Sequence, residues 1–117
     1  MTIPTILLAA LIVVESHGNN WAVGDYGQAY GCLQIRHEVI RDVNRIYGTN
    51  YSRRDCFDRQ QSMAICQLYL SHYASPERLG RHPSMQDYAR VWNGGPEGWR
   101  KPHTTRYWVK TQQALRR

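Results

Sequence analysis

The residue that most invites a chemical reading is Glu15. Ile6 to Val14 contains no polar side chain, Glu15 follows directly, and Gly18, Asn19 and Asn20 then break the pattern. If the apolar run is a buried helix, Glu15 occupies its last turn. There the negative end of the helix dipole and poor solvation both disfavour a charged carboxylate, so its pKa is expected to rise. An acid where helices favour cations suits general-acid catalysis. The competing reading is a solvated helix-end carboxylate. Other reactive side chains offer less. The five His are dispersed, and His37-Glu38-Val39-Ile40-Arg41 begins like a zinc-protease helix but has Arg where the second His would stand. No metal or organic cofactor is expected. Three cysteines, Cys32, Cys56 and Cys66, are an odd count and too few for a disulfide-built fold. Cys56 and Cys66 can pair, but buried reduced thiols are the favoured reading.

The elements that must position Glu15 follow from periodicity. Pro4 to Ser16 reads as a first helix, apolar on all sides and so central and buried. Glycines and Asx residues between residues 17 and 35 read as turns or a short β-hairpin. A second helix carries Val39, Ile40, Val43, Ile46 and Tyr47 on one stripe and stops at Gly48. Asp58-Arg59-Gln60-Gln61 looks like the cap of a third, with Ile65, Leu68, Tyr69 and Tyr73 on one face, ended by Ser75-Pro76. Ser84-Met85-Gln86-Asp87 caps a fourth, which stops at Asn93-Gly94-Gly95-Pro96. A fifth starts near Thr104 or Thr105, with Tyr107, Trp108, Thr111 and Leu115 inward. The expectation is a mainly helical α+β fold, about five helices with a short β-hairpin or irregular loop after the first, in one domain spanning residues 1–117.

Composition bounds the partners. The net charge is +6 on 117 residues, with four Trp, eight Tyr and one Phe. Tyr and Trp pair an apolar body with a polar handle and suit a wet groove. The positive charge fits an anionic partner, whether nucleic acid, membrane surface or cell-wall polymer. Basic residues are scattered except for the rich stretch from Arg100 to Arg117. Residues 1–14 lack the basic start and small-residue cleavage site of a signal peptide and are too short to span a bilayer. The expectation is a chain that is cytoplasmic where made and released by another route, as in a phage lysin, or an exported one without its leader.

Two motifs carry a resemblance. Glu15-Ser16-His17-Gly18-Asn19-Asn20-Trp21-Ala22-Val23-Gly24-Asp25, followed by Ala29-Tyr30-Gly31-Cys32-Leu33-Gln34-Ile35, resembles the first motif of the lysozyme-like superfamily as seen in lytic transglycosylase domains. Tyr88 to Trp99, with Trp92-Asn93-Gly94-Gly95-Pro96, and then Thr105-Arg106-Tyr107-Trp108, is similar to invertebrate-type lysozymes. The resemblance covers roughly the first and last thirds of the chain, in the family's order. It implies a helical lysozyme fold with a glycan cleft that cuts the β-1,4 link between N-acetylmuramic acid and N-acetylglucosamine. Glu15 matches the catalytic acid. Asp25, ten residues on, matches the catalytic Asp of invertebrate-type lysozymes, although this loop lacks their cysteines. A second carboxylate supports hydrolysis, whereas lytic transglycosylases manage without one and release 1,6-anhydro products. As plain chemistry, Gly24-Asp25-Tyr26-Gly27 is also an ordinary turn.

The same resemblance matches Ser16, Gln34 and Tyr107 to family positions, with Gln34 bonding a sugar acetamido or Glu15. The residues themselves add Tyr30 as a stacking platform and Asn93 with Gly94 as a turn where backbone can approach a sugar ring, and all six are expected to bind substrate. Their competing readings are a helix-end hydroxyl for Ser16, local backbone satisfaction for Gln34, a half-buried tyrosine for Tyr30, a turn for Asn93 and Gly94, and core packing for Tyr107. Tyr26 is a further stacking candidate, and Lys101 and His103 are read as solvated surface. Peptidoglycan strands are the expected partner, with chitin-type oligosaccharides as the alternative. No nucleic-acid partner and no membrane insertion are expected, and the chain is expected to be a monomer. A non-catalytic glycan-binding module is the rival from another class.

Overall fold

A computed structural model describes residues 3–116. Six α-helices and a small sheet follow in chain order among these residues. They are α1 (Thr5–Ser16), β1 (Val23–Gly24), β2 (Ala29–Tyr30), β3 (Ile35–Arg36), α2 (His37–Tyr47), α3 (Arg59–Tyr73), α4 (Pro76–Leu79), α5 (Met85–Gly94) and α6 (Thr105–Leu115). Three 3₁₀ turns, Arg53–Phe57, Gly98–Arg100 and Pro102–Thr104, complete the path. The mainly helical α+β class is as expected. The sixth helix is the four-residue α4. Ser75, expected only to end α3, accepts a hydrogen bond from the Arg78 N–H and starts a new turn with Pro76 in its first position. No helix of the described residues is long and apolar enough to cross a membrane.

The chain forms two compact units. One contains Glu15–Tyr69; the other contains the segment up to Val14 and the chain from Leu70 onward. In the Glu15–Tyr69 unit the three strands are antiparallel in the order β1-β2-β3, with Val23 opposite Tyr30 and Tyr30 opposite Ile35. Leu33, Ile35, Val43, Cys56 and Ile65 are fully buried there. Helix α2 ends at Gly48 in the left-handed region (φ 67°), which a Cβ would disfavour. Asp58 accepts the Gln61 N–H at 3.0 Å, the cap expected for α3. All three cysteines are free and buried, so Cys56 and Cys66 do not pair.

In the other unit Leu7, Leu8, Leu11, Leu70, Leu79, Ala89 and Val91 are buried. Helix α1 is not enclosed all round as its composition implies, because Ile6 is 61% exposed. A uniformly apolar helix carries no azimuthal signal, so its neighbours choose the buried face. Helix α5 begins with the expected capping box: Ser84 Oγ accepts the Asp87 N–H at 3.2 Å, and Asp87 Oδ2 accepts the Ser84 N–H at 2.8 Å. Asp87 is buried and also receives a bidentate Arg81 guanidinium at 2.5 and 2.7 Å.

Candidate active site

Glu15 is the penultimate residue of α1 and is half-buried. Its carboxylate lies within electrostatic reach of Cys66 on α3. Burial pushes the Cys66 thiol well above its ordinary pKa, and the Glu15 and Cys32 charges push it further. Directly after Glu15, Ser16 Oγ donates to the Cys32 carbonyl at 2.8 Å and accepts the Asn19 N–H at 3.1 Å. The chain then leaves the helix through His17 and Gly18, both in the left-handed region (φ 54° and 87°). Arg59 Nη2 donates to the Gly18 carbonyl at 2.7 Å. The cation that a helix C-terminus favours is therefore supplied from α3, leaving the last turn of α1 free to carry an acid.

The hairpin after α1 is tightly braced. Asp25, Tyr26 and Gly27 are three successive left-handed residues (φ 53°, 57° and 85°), closed by the Gly27 and Gln28 N–H groups on the Gly24 carbonyl at 3.1 and 3.0 Å. Left-handed Tyr is costly, and such strain concentrates at functional loops. The Asp25 carboxylate is ion-paired with Arg36 of β3, whose Nε also lies 3.4 Å from Glu38 Oε2. Gln34 Nε2 donates to the Gly31 carbonyl at 3.0 Å and the Ala22 carbonyl at 3.4 Å. Its Oε1 fills the space where a Cβ on Gly24 would fall. Gly31 (φ 79°) lies against the Cys56 carbonyl, which also accepts Ser62 Oγ at 2.7 Å. The Gly-x-x-Gln segment thus acts on the backbone of its own hairpin.

Beside the hairpin stands an aromatic cluster. Trp21, 76% exposed, stacks on Phe57 with ring centroids 6.0 Å apart. Tyr30 meets Phe57 at 6.2 Å in a tilted arrangement, and the Arg53 guanidinium lies 4.8 Å from the Tyr30 ring centre. Tyr26 is fully exposed. A broad, open aromatic face with one cation suits stacking on a sugar ring.

Glu15, Ser16, Asp25, Tyr30 and Gln34 therefore belong to one compact unit, while Asn93, Gly94 and Tyr107 belong to the other. There Asn93 is exposed, and the Gly94 carbonyl accepts Lys101 Nζ at 2.7 Å. Lys101 was expected to be solvated but is half-buried, because the turn's carbonyl captures its ammonium. His103 is exposed as expected. Tyr107 is buried on α6, its carbonyl accepting Thr111 Oγ1 at 2.9 Å. Arg90 fixes the turn from α5, donating to Thr104 Oγ1 at 2.8 Å and the Lys101 carbonyl at 2.9 Å. Sequence reasoning missed Trp21, Arg36, Arg53, Phe57 and Arg59 as site residues. Phe57 is the chain's one Phe, and that rarity in a polar link was the one available signal.

An apolar helix ending in a half-buried acid, followed by a small braced sheet, defines the lysozyme-like class. Within that class, residues 1–114 match the Transglycosylase SLT domain model, and the chain belongs to that family, one of glycan-cleaving enzymes. It is 32% identical over 89 residues to a lysozyme of Magallana gigas, an alignment covering 75% of this chain and 61% of that protein. The chain thus spans about three fifths of that relative's length. Among solved structures it resembles the inhibitor-bound lysozyme from Meretrix lusoria (TM-score 0.81, 25% identity, 95% of this chain and 89% of that one). It also resembles Tapes japonica lysozyme (TM-score 0.78, 25% identity, 94% and 89%).

Proposed function

We propose that this chain is a muramidase, hydrolysing the β-1,4 bond between N-acetylmuramic acid and N-acetylglucosamine in peptidoglycan as a single catalytic domain. Glu15 is the general acid that protonates the leaving oxygen, and Asp25 is the second carboxylate that meets the developing positive charge or activates water. The observation that carries this reading is the placement of Glu15 at the end of an apolar helix, in the same compact unit as the strained hairpin holding Asp25. Ser16 and Gln34 hold the backbone around these two residues, and Tyr30 with Trp21 and Phe57 offers a sugar platform. Asn93, Gly94 and Tyr107 are proposed substrate contacts through the turn and the tyrosine ring.

The second reading is a lytic transglycosylase, favoured by the family model that spans the chain. Product analysis separates the two. Digestion of purified peptidoglycan is expected to release reducing muramic ends, and 1,6-anhydro ends would replace hydrolysis by transglycosylation. Glu15→Gln is expected to lower turnover by at least about 100-fold, within the range that general acids contribute. Activity unchanged in that variant would remove Glu15 from the mechanism, whereas glycan binding without any cleavage by the wild-type chain would favour a glycan-binding module.

A further inference from the structure

The net positive charge of this protein comes from one end of the chain. Residues 1–97 hold nine Lys/Arg and nine Asp/Glu, whereas residues 98–117 hold six Lys/Arg and no carboxylate. The whole net charge of +6 therefore resides in the last twenty residues. The described residues of this stretch, 98–116, comprise two 3₁₀ turns and α6, all in one compact unit. Two of its cations are committed internally: Arg100 pairs with Glu97, and Lys101 binds the Gly94 carbonyl. Arg106, Lys110 and Arg116 are exposed and form no ion pair among the described residues. Arg106 and Lys110 stand one turn apart on α6, and Arg106 joins His103 and Pro102 in lining an open concavity of about 400 Å³.

We propose that this face binds a repeating phosphodiester polymer of the cell wall, and so holds the enzyme on the matrix that contains its glycan. The proposal rests on the muramidase reading for the setting and on the charge pattern for the chemistry. Four of the six cations are Arg, whose planar fork matches phosphate oxygens better than a point charge does. A membrane surface fits poorly, because Val109 is the sole exposed large hydrophobic side chain among the described residues of 98–116. Single-stranded nucleic acid fits less well, because Trp99 and Trp108 are only partly exposed, Tyr107 is buried, and the Arg81 and Arg100 guanidinium groups lie over the Trp99 ring in the place of a stacked base.

The test compares the wild-type chain with the triple variant Arg106→Gln, Lys110→Gln, Arg116→Gln, with circular dichroism to verify folding. Binding is measured to purified poly(glycerol phosphate), and to walls before and after hydrofluoric acid extraction of their phosphodiester polymer, over a series of salt concentrations. Each neutralised phosphate contributes about 0.7–0.9 to the slope of log K against log salt, so the variant's slope should be shallower by about 2–3. Wild type should also lose wall binding at least about tenfold after extraction. Turnover of soluble, polymer-free glycan fragments should be the same in both proteins. An unchanged slope, equal binding to extracted walls, or binding to DNA or phosphatidylglycerol vesicles as tight as to the polymer would overturn the proposal. Absent turnover of the soluble fragments by wild type would instead refute the muramidase reading, while the polymer measurement would still decide the binding face.

Discussion

Gly31 is the position at which sequence motif and structure can be separated most sharply. It is the first residue of the Gly-x-x-Gln segment, and its φ of 79° places it in the left-handed region. A Cβ added there would fall far inside van der Waals contact distance of the Cys56 carbonyl oxygen, with the carbonyl carbon at 2.8 Å and Ser62 Oγ at 3.5 Å. The obstacle is backbone, itself bonded to Ser62, so no side-chain rotation relieves it. Gly31→Ala therefore combines about 1–2 kcal/mol of left-handed strain with about 1–3 kcal/mol of overpacking. A loss of about 2–5 kcal/mol is a large part of ordinary domain stability, and at about 4 °C per kcal/mol it lowers Tm by about 8–20 °C. Gly48→Ala is the control, because Gly48 is also left-handed (φ 67°) but a Cβ there meets nothing within 4 Å. That variant should lose only the strain, about 4–8 °C. Thermal unfolding followed by circular dichroism, with urea midpoints as a second scale, measures both. Equal losses in the two variants, or a Gly31→Ala Tm within about 3 °C of wild type, would refute the close approach to Cys56.

Two further outcomes follow from other contacts. Burial by itself would raise the Asp87 pKa, but the Arg81 guanidinium and the Ser84 donors outweigh it and hold the carboxyl below its usual value. A depressed folded pKa contributes stability that is present above the unfolded value, about 4, and is lost as pH falls through the folded one. The advantage of wild type over Asp87→Asn, about 1–3 kcal/mol at pH 7 because Arg81 is half-exposed, should therefore shrink on acidification below about pH 4. Urea unfolding at several pH values tests this, and a pH-independent difference would count against it. Trp21→Ala should leave Tm within about 2 °C while raising the KM for peptidoglycan fragments about tenfold, as for loss of an aromatic anchor worth about 1–2 kcal/mol. A KM within twofold of wild type would remove Trp21 from the sugar platform.

Much of this arrangement was readable from residue order alone, for identifiable reasons. Helix α2 announces itself because Ile40 and Val43 recur at helical spacing and Gly48 can end a helix as few residues can. The Ser84–Asp87 box is legible because both of its hydrogen bonds are local. The end of α1 was legible as a place for an acid, but its compensation was not: Arg59 reaches Gly18 from 41 residues away in sequence. The same limit hid the Asp25–Arg36 pair and the Trp21–Phe57 stack, which exist because the sheet and a 3₁₀ turn bring distant residues together. Periodicity also missed α4, since a helix of four residues is too short to show a period. Gln34 was read as a sugar contact with backbone satisfaction as the rival, and its amide nitrogen binds two carbonyls of its own hairpin.

That brace has a chemical consequence. The hairpin carrying Asp25 is held by an amide side chain, two carbonyls, a guanidinium and a glycine with no room for a Cβ. No sulfur–sulfur bond takes part, and Cys32, Cys56 and Cys66 are buried thiols; burial, with the Asp55 and Cys32 charges, pushes Cys56 up to about 12. Thiolate is the species that attacks disulfides and electrophiles, so at neutral pH these sulfurs are poorly reactive. The loop's geometry is therefore indifferent to redox potential: reductants have no bond to cut in it, and mild oxidants find little thiolate to capture.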